Sequence, residues 1–148
     1  SYAVYYLCPT DYHRVHSPVD GFITKVTYVP GDLWPVNQWS TSHIQNLFAI
    51  NERVIVEITT ELGVLSVVFV GATNVGQICL SFDDSIQANR NKPYEQKIYP
   101  TPIKIKKGEE LGLFRMGSTV VLICPPFFHK KMKSSFKLGP VQVGQSIT

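Results

Sequence analysis

The chain has 148 residues, 44% of them apolar and 17% charged, with a net charge of +3 at neutral pH. That balance suits one globular domain with a real core and excludes a disordered chain. Three cysteines, Cys8, Cys79 and Cys124, stand at unrelated spacings, which excludes a zinc pattern or a disulfide framework and points to buried reduced thiols.

The first strand-like run, 3–7, starts abruptly and without a methionine, so further upstream sequence is expected. Next comes Tyr12-His13-Arg14-Val15-His16-Ser17-Pro18. Its two histidines share a face on a helical turn and point apart on a strand, and the local pattern leaves both open. Asp20-Gly21 introduces a strand at 21–29, and Pro30-Gly31-Asp32 ends it. This strand-turn-strand pattern is similar in architecture to the barrel-sandwich carriers of biotin and lipoate, but no lysine stands at a hairpin tip.

A short helical turn is predicted within 41–48, followed by strands at 53–60 and 65–71 around the turn Glu61-Leu62-Gly63. The longest apolar stretch, 64–82, is broken by Gly71, Asn74, Gly76 and Gln77, so it reads as two strands and a turn, the second strand at 75–82, rather than a membrane span. Residues 83–99 lack periodicity and read as a long loop. Strands follow at 102–105, 111–115 and 119–124, with Lys107-Gly108-Glu109 as a turn, and a second helical turn is predicted within 128–136. Glycine at these turns is expected to supply positive φ. Together the elements predict a single all-β domain over 1–148, barrel-sandwich-like, made of short strands with one long loop and little helix.

The chemistry centres on Gly117-Ser118, inside Phe114-Arg115-Met116-Gly117-Ser118-Thr119. Attack by the Ser118 hydroxyl on the Gly117 carbonyl needs a neighbouring base, and histidine is the side chain whose pKa suits that task. His13 and His16 are the candidates, and glycine before the serine frees the backbone and opens the carbonyl to approach. The residue types also allow a plain turn at Gly117 and structural histidines, the reading given to His43 and His129. The positive charges gather at Lys104, Lys106 and Lys107 and again at Lys130, Lys131 and Lys133. Such clusters are solvated faces or points of attraction to an anionic surface. Aromatic residues are scattered through expected core strands, which argues against a nucleic-acid surface, and no spacing suggests a metal site.

Several ordered motifs now combine. Asp11-Tyr12-His13-Arg14-Val15-His16-Ser17-Pro18-Val19-Asp20-Gly21, Tyr28-Val29-Pro30-Gly31-Asp32-Leu33-Trp34-Pro35-Val36-Asn37 and Asn46-Leu47-Phe48-Ala49-Ile50-Asn51-Glu52-Arg53-Val54 are followed by Val70-Gly71-Ala72-Thr73-Asn74-Val75-Gly76, Lys107-Gly108-Glu109-Glu110-Leu111-Gly112 and the Gly-Ser-Thr site. Over most of its length the chain resembles the phosphatidylserine decarboxylases, pyruvoyl enzymes that make phosphatidylethanolamine.

The resemblance implies self-cleavage between Gly117 and Ser118, with His16 as the general base. Fragments 1–117 and 118–148 would stay together, and Ser118 would become a covalent pyruvoyl group. A Schiff base from that group to phosphatidylserine would carry the loss of carbon dioxide, with His13 as the acid that protonates the product. The resemblance further implies a serine-protease-like triad whose aspartate lies upstream of the histidine pair. The one acidic residue before His13 is Asp11, which belongs to the local motif, so processing is expected to require an upstream, membrane-associated region. It also implies a peripheral membrane location, cytosol-facing in bacteria or on the mitochondrial inner membrane in eukaryotes, and allows a homodimer. Phe127-Phe128 beside the lysines at 130–133 has the makeup of an interfacial patch or of a buried pair next to a solvated tail. The alternatives are a non-catalytic β domain, either a histidine phosphocarrier or a lipid-surface binding module, and an inactive truncated homologue lacking the triad aspartate.

Overall fold

The computed structural model describes residues 1–73, 77–86, 88, 92–117, 119–127 and 139–145. Nine strands and two short helices follow in order among them: β1 (Tyr2–Tyr6), β2 (Arg14–His16), β3 (Gly21–Val29), α1 (Gln38–His43), α2 (Leu47–Ile50), β4 (Arg53–Thr60), β5 (Gly63–Val70), β6 (Ile78–Leu80), β7 (Glu95–Ile105), β8 (Glu110–Phe114) and β9 (Thr119–Ile123). They form a six-stranded sheet of order β1-β9-β5-β4-β3-β7 and a three-stranded sheet of order β2-β8-β6, with every pairing antiparallel. The all-β expectation holds.

Alternation drives the packing. Val54, Val56 and Ile58 of β4 and Leu65, Val67 and Phe69 of β5 are buried at period two. They join Ile78 and Leu80 of β6 and Leu111 and Phe114 of β8 in one core cluster between the sheets. Each such side chain contributes roughly 1.5–3 kcal/mol on full burial. On the other face of the large sheet, Val68, Val70 and Val121 make a smaller cluster with Phe48 of α2 and Ile55.

Several local expectations need correction. Gly63 and Gly108 have positive φ, but Gly21 and Gly31 do not. A Cβ on Gly21 would stand 2.7 Å from the Thr59 carbonyl oxygen, and one on Gly31 would collide with that of Ile50, so close approach selects glycine there. The expected loop 83–99 is shorter, because β7 begins at Glu95. Its polar start hides the strand, which lies at the edge of the large sheet beside β3. The β3–β7 register jumps between Ile23↔Ile103 and Lys25↔Ile98, an irregularity that admits Pro100 and Pro102 where a regular ladder would need their missing N–H groups.

Two helices replace the single turn expected at 41–48. The Asn37 side chain caps α1 by accepting from the Ser40 N–H at 2.9 Å, and Asn46, left-handed at φ 57°, separates α1 from α2. The turn expected at 128–136 lies outside the described residues. Of the cysteines only Cys124 is buried, whereas Cys8 is exposed and Cys79 intermediate. Among the described residues no helix is long and apolar enough to cross a membrane.

Candidate active site

Between Phe114 and Thr119 the chain leaves the small sheet and enters the large one. Both flanks of that crossover are held by ladders. β8 lies between β2 and β6, and β9 lies between β1 and β5, with Thr119 paired to Tyr6 on one side and Val70 on the other. Ser118 lies outside the described residues, while Gly117 and Thr119 define the two ends of its junction.

Gly117 packs against the segment that follows β1. A Cβ on it would stand 3.0 Å from the Leu7 carbonyl oxygen, 3.1 Å from the Pro9 nitrogen and 3.2 Å from the Pro9 Cα. Its φ is not in the left-handed region, so tight backbone contact, rather than the strained conformation anticipated from sequence, selects glycine. The same Pro9 reaches the histidine segment, because His13 Nε2–H donates to the Pro9 carbonyl at 3.0 Å. Since a carbonyl can only accept, His13 then carries its lone pair on Nδ1 in the neutral state. That nitrogen is buried and has no hydrogen-bond partner among the described residues.

His16 has a different setting. The segment 14–16 is a strand whose register shifts between Val15 and His16, so the helical turn that would have put His13 and His16 on one face is not formed. His16 lies across from Glu110 at the start of β8, while the Phe114 N–H at the end of β8 donates to the His13 carbonyl at 3.0 Å. His13 is therefore the histidine on the Gly117 side. The His16 Nδ1–H donates to the Gly108 carbonyl at 2.8 Å, and its Nε2 accepts from the Tyr12 hydroxyl at 2.9 Å. The Tyr12 and His16 rings stack at 5.7 Å. Gly108 presents its carbonyl from a turn with φ 86°, a conformation that suits glycine. The tautomer is thus set by a backbone carbonyl, and Nε2 is kept as the acceptor.

Glu110 is tied down as well. Hydrogen bonds from the Ser81 hydroxyl and the Arg14 guanidinium, the latter at 2.8 Å, hold its carboxyl below the usual carboxylate range against a smaller opposing effect of burial. This fixes the β2–β8 edge that carries both histidines. Pro9, Tyr12 and Gly108 had no role assigned from sequence, because each acts through contacts made only when the segments meet. His43, read as structural, bonds its own helix through the Trp39 carbonyl and stacks on the Trp39 ring. His129 lies outside the described residues, as do Phe128 and Lys130, Lys131 and Lys133 of the interfacial patch, whose Phe127 is exposed.

Beside the crossover, a cleft of about 620 Å³ opens over the small sheet, with Cys79, Leu80, Ile86, Leu113 and Arg115 in its walls. No group of three or more metal-ligating side chains gathers among the described residues.

The model of the family described as phosphatidylserine decarboxylase matches residues 1–148. A protein of Anaeromyxobacter sp. (strain K) named phosphatidylserine decarboxylase proenzyme is 45% identical over 157 residues, covering 99% of this chain and 53% of its own length. A proenzyme of the same name from Shewanella sp. (strain MR-4) is 45% identical, covering 93% and 47%. Another from Idiomarina loihiensis is 46% identical, covering 82% and 43%. The chain spans about half the length of the curated relatives it matches.

Proposed function

Because the chain belongs to the phosphatidylserine decarboxylase family, we propose that it carries the reaction centre for removing the carboxyl group of phosphatidylserine as carbon dioxide, leaving phosphatidylethanolamine at a membrane surface. The observation that supports this most is the double contact of Pro9, which is in contact range of Gly117 and bonded to His13. Two segments far apart in sequence thereby meet beside Gly117.

In the proposed processing, the Ser118 hydroxyl adds to the Gly117 carbonyl and the amide nitrogen leaves, so an ester replaces the peptide bond. Elimination across Cα and Cβ of the former serine breaks that ester, giving a carboxylate at Gly117 and a dehydroalanine at the new terminus. One water then displaces ammonia, and the net change is gain of water and loss of ammonia. The resulting pyruvoyl group supplies a ketone that withdraws electrons from the substrate's α-carbon as carbon dioxide departs. The surroundings suit it: the crossover is held at both ends, and His13 offers a buried nitrogen without a partner among the described residues.

His16 is proposed as the base for Ser118, with Nε2 already fixed as an acceptor. His13 is proposed as the acid that delivers a proton after decarboxylation. A reversed assignment has one observation in its favour, the unpartnered Nδ1 of His13 on the Gly117 side. The test is to express His13→Ala and His16→Ala in the protein with its natural upstream sequence and to weigh the products. Cleavage that survives in His13→Ala and disappears in His16→Ala supports the proposed roles, and the opposite pattern reverses them. An unsubstituted protein that stays whole and accepts phosphate on a histidine would favour a carrier domain instead.

A further inference from the structure

The cleft over the small sheet has a definite chemistry. Leu80 and Ile86 are almost fully buried and form its apolar floor with Leu113, while Arg115 is exposed at the rim. The Arg115 backbone is anchored, since its N–H donates to the Gln77 carbonyl at 3.3 Å. Its guanidinium makes no ion pair among the described residues. Among the described residues lining the cleft, Arg115 is the one cation and Asp84 the one acid.

We propose that this cleft is the headgroup site and that Arg115 holds the phosphodiester oxygens of the bound aminophospholipid. The inference rests on the decarboxylase reading above. A guanidinium presents a planar fork of donors that matches two phosphate oxygens, which a point-charge ammonium does not. Position also fits. Arg115 stands two residues before Gly117 in the chain, which bounds their Cα separation at about 7 Å. A serine headgroup separates phosphate from amine by a two-carbon linker, so an anchored phosphate leaves the amine within reach of residue 118. The apolar floor gives the linker and first glycerol carbons a place out of water.

The experiment has two arms. In the protein with its upstream sequence, Arg115→Gln should still cleave, while its KM for phosphatidylserine in mixed micelles rises about tenfold or more, as expected for loss of a charge-assisted contact made on binding. Arg115→Lys should recover part of that loss. In the second arm, the 148-residue chain is titrated with glycerophosphoserine and separately with inorganic phosphate, following the backbone amide resonances of Cys79, Leu80 and Arg115. Glycerophosphoserine should shift them in the unsubstituted chain and not in Arg115→Gln, and phosphate alone should do neither. An unchanged KM, or glycerophosphoserine shifts that persist in Arg115→Gln, overturns the proposal. Equal shifts from phosphate overturn headgroup recognition in favour of a simple anion site. The titration needs no cleavage, so it decides even if Arg115→Gln fails to process. Failure of the unsubstituted protein to cleave counts against the decarboxylase reading instead.

Discussion

At the scale of single residues, Gly117 is the most constrained position near the proposed cut. Its neighbours within 3.2 Å of a built Cβ are all backbone atoms of Leu7 and Pro9, which cannot rotate away. Gly117→Ala should therefore cost about 1–3 kcal/mol, the range for overpacking, and lower the midpoint of thermal unfolding. A melt indistinguishable from that of the unsubstituted chain would remove the close-contact explanation. The histidines separate by partner. His13→Ala should reduce decarboxylation by roughly 10²–10⁴-fold, the usual worth of general acid–base help, with cleavage retained. Tyr12→Phe removes the hydroxyl bonded to His16 Nε2 but leaves the Gly108 carbonyl in place. Imidazole ¹⁵N shifts should therefore still report the Nδ1–H tautomer of His16, and a switch to Nε2–H would show that the carbonyl does not set it.

At the scale of elements, one polar cluster joins the two halves of the domain. The Asp83 carboxylate accepts from Lys97 Nζ at 2.6 Å, from the Tyr99 hydroxyl, and from the Ser85 hydroxyl and N–H at 2.6 and 3.0 Å. Burial raises the Asp83 pKa, but the hydrogen bonds from Lys97, Ser85 and Tyr99 outweigh it and hold the carboxyl well below the usual range. The segment after β6, which carries Asp84 and Ile86 into the cleft, is thus latched to β7 across the fold. Asp83→Asn should destabilise by about 1–2 kcal/mol, allowing for the partly exposed Lys97. The sign of its pH dependence follows from the depressed value. The stabilisation is present above the ordinary aspartate pKa of about 4 and is lost as pH falls toward the folded value. Melting curves of the two chains should differ most near neutrality and converge in acid, and a constant gap at all pH values would contradict the latch. Sequence patterning could not reveal it, because Glu95-Gln96-Lys97 lacks apolar alternation and the strand is recognisable only once β3 lies beside it. The same holds for β2, three residues long and defined by its pairing to β8. By contrast β3, β4 and β9 announce themselves by buried β-branched residues, and 21–29 and 53–60 match the observed strands end to end.

For the molecule as a whole, the sheets explain how a cut chain would stay together. β9 follows the proposed cut and lies between β1 and β5, both of which precede it, so residues 1–117 and 118–148 share one sheet and one core. The two fragments should comigrate under native conditions and separate only in denaturant. The motif order of the sequence was enough to bring out the family, and the chemistry proposed at Gly117-Ser118 follows from that membership. The bridge through Pro9, the tautomer set by Gly108 and the cleft beside Arg115 were not legible, because they arise from long-range contacts without a local signature. The most direct measurement is the intact mass of the protein expressed with its natural upstream sequence, before and after reaction with a ketone-trapping amine. The expected result is two fragments whose masses sum to that of the precursor plus one water minus one ammonia, with the amine adduct confined to the fragment that begins at position 118. A single uncut mass that takes up no amine would contradict the account.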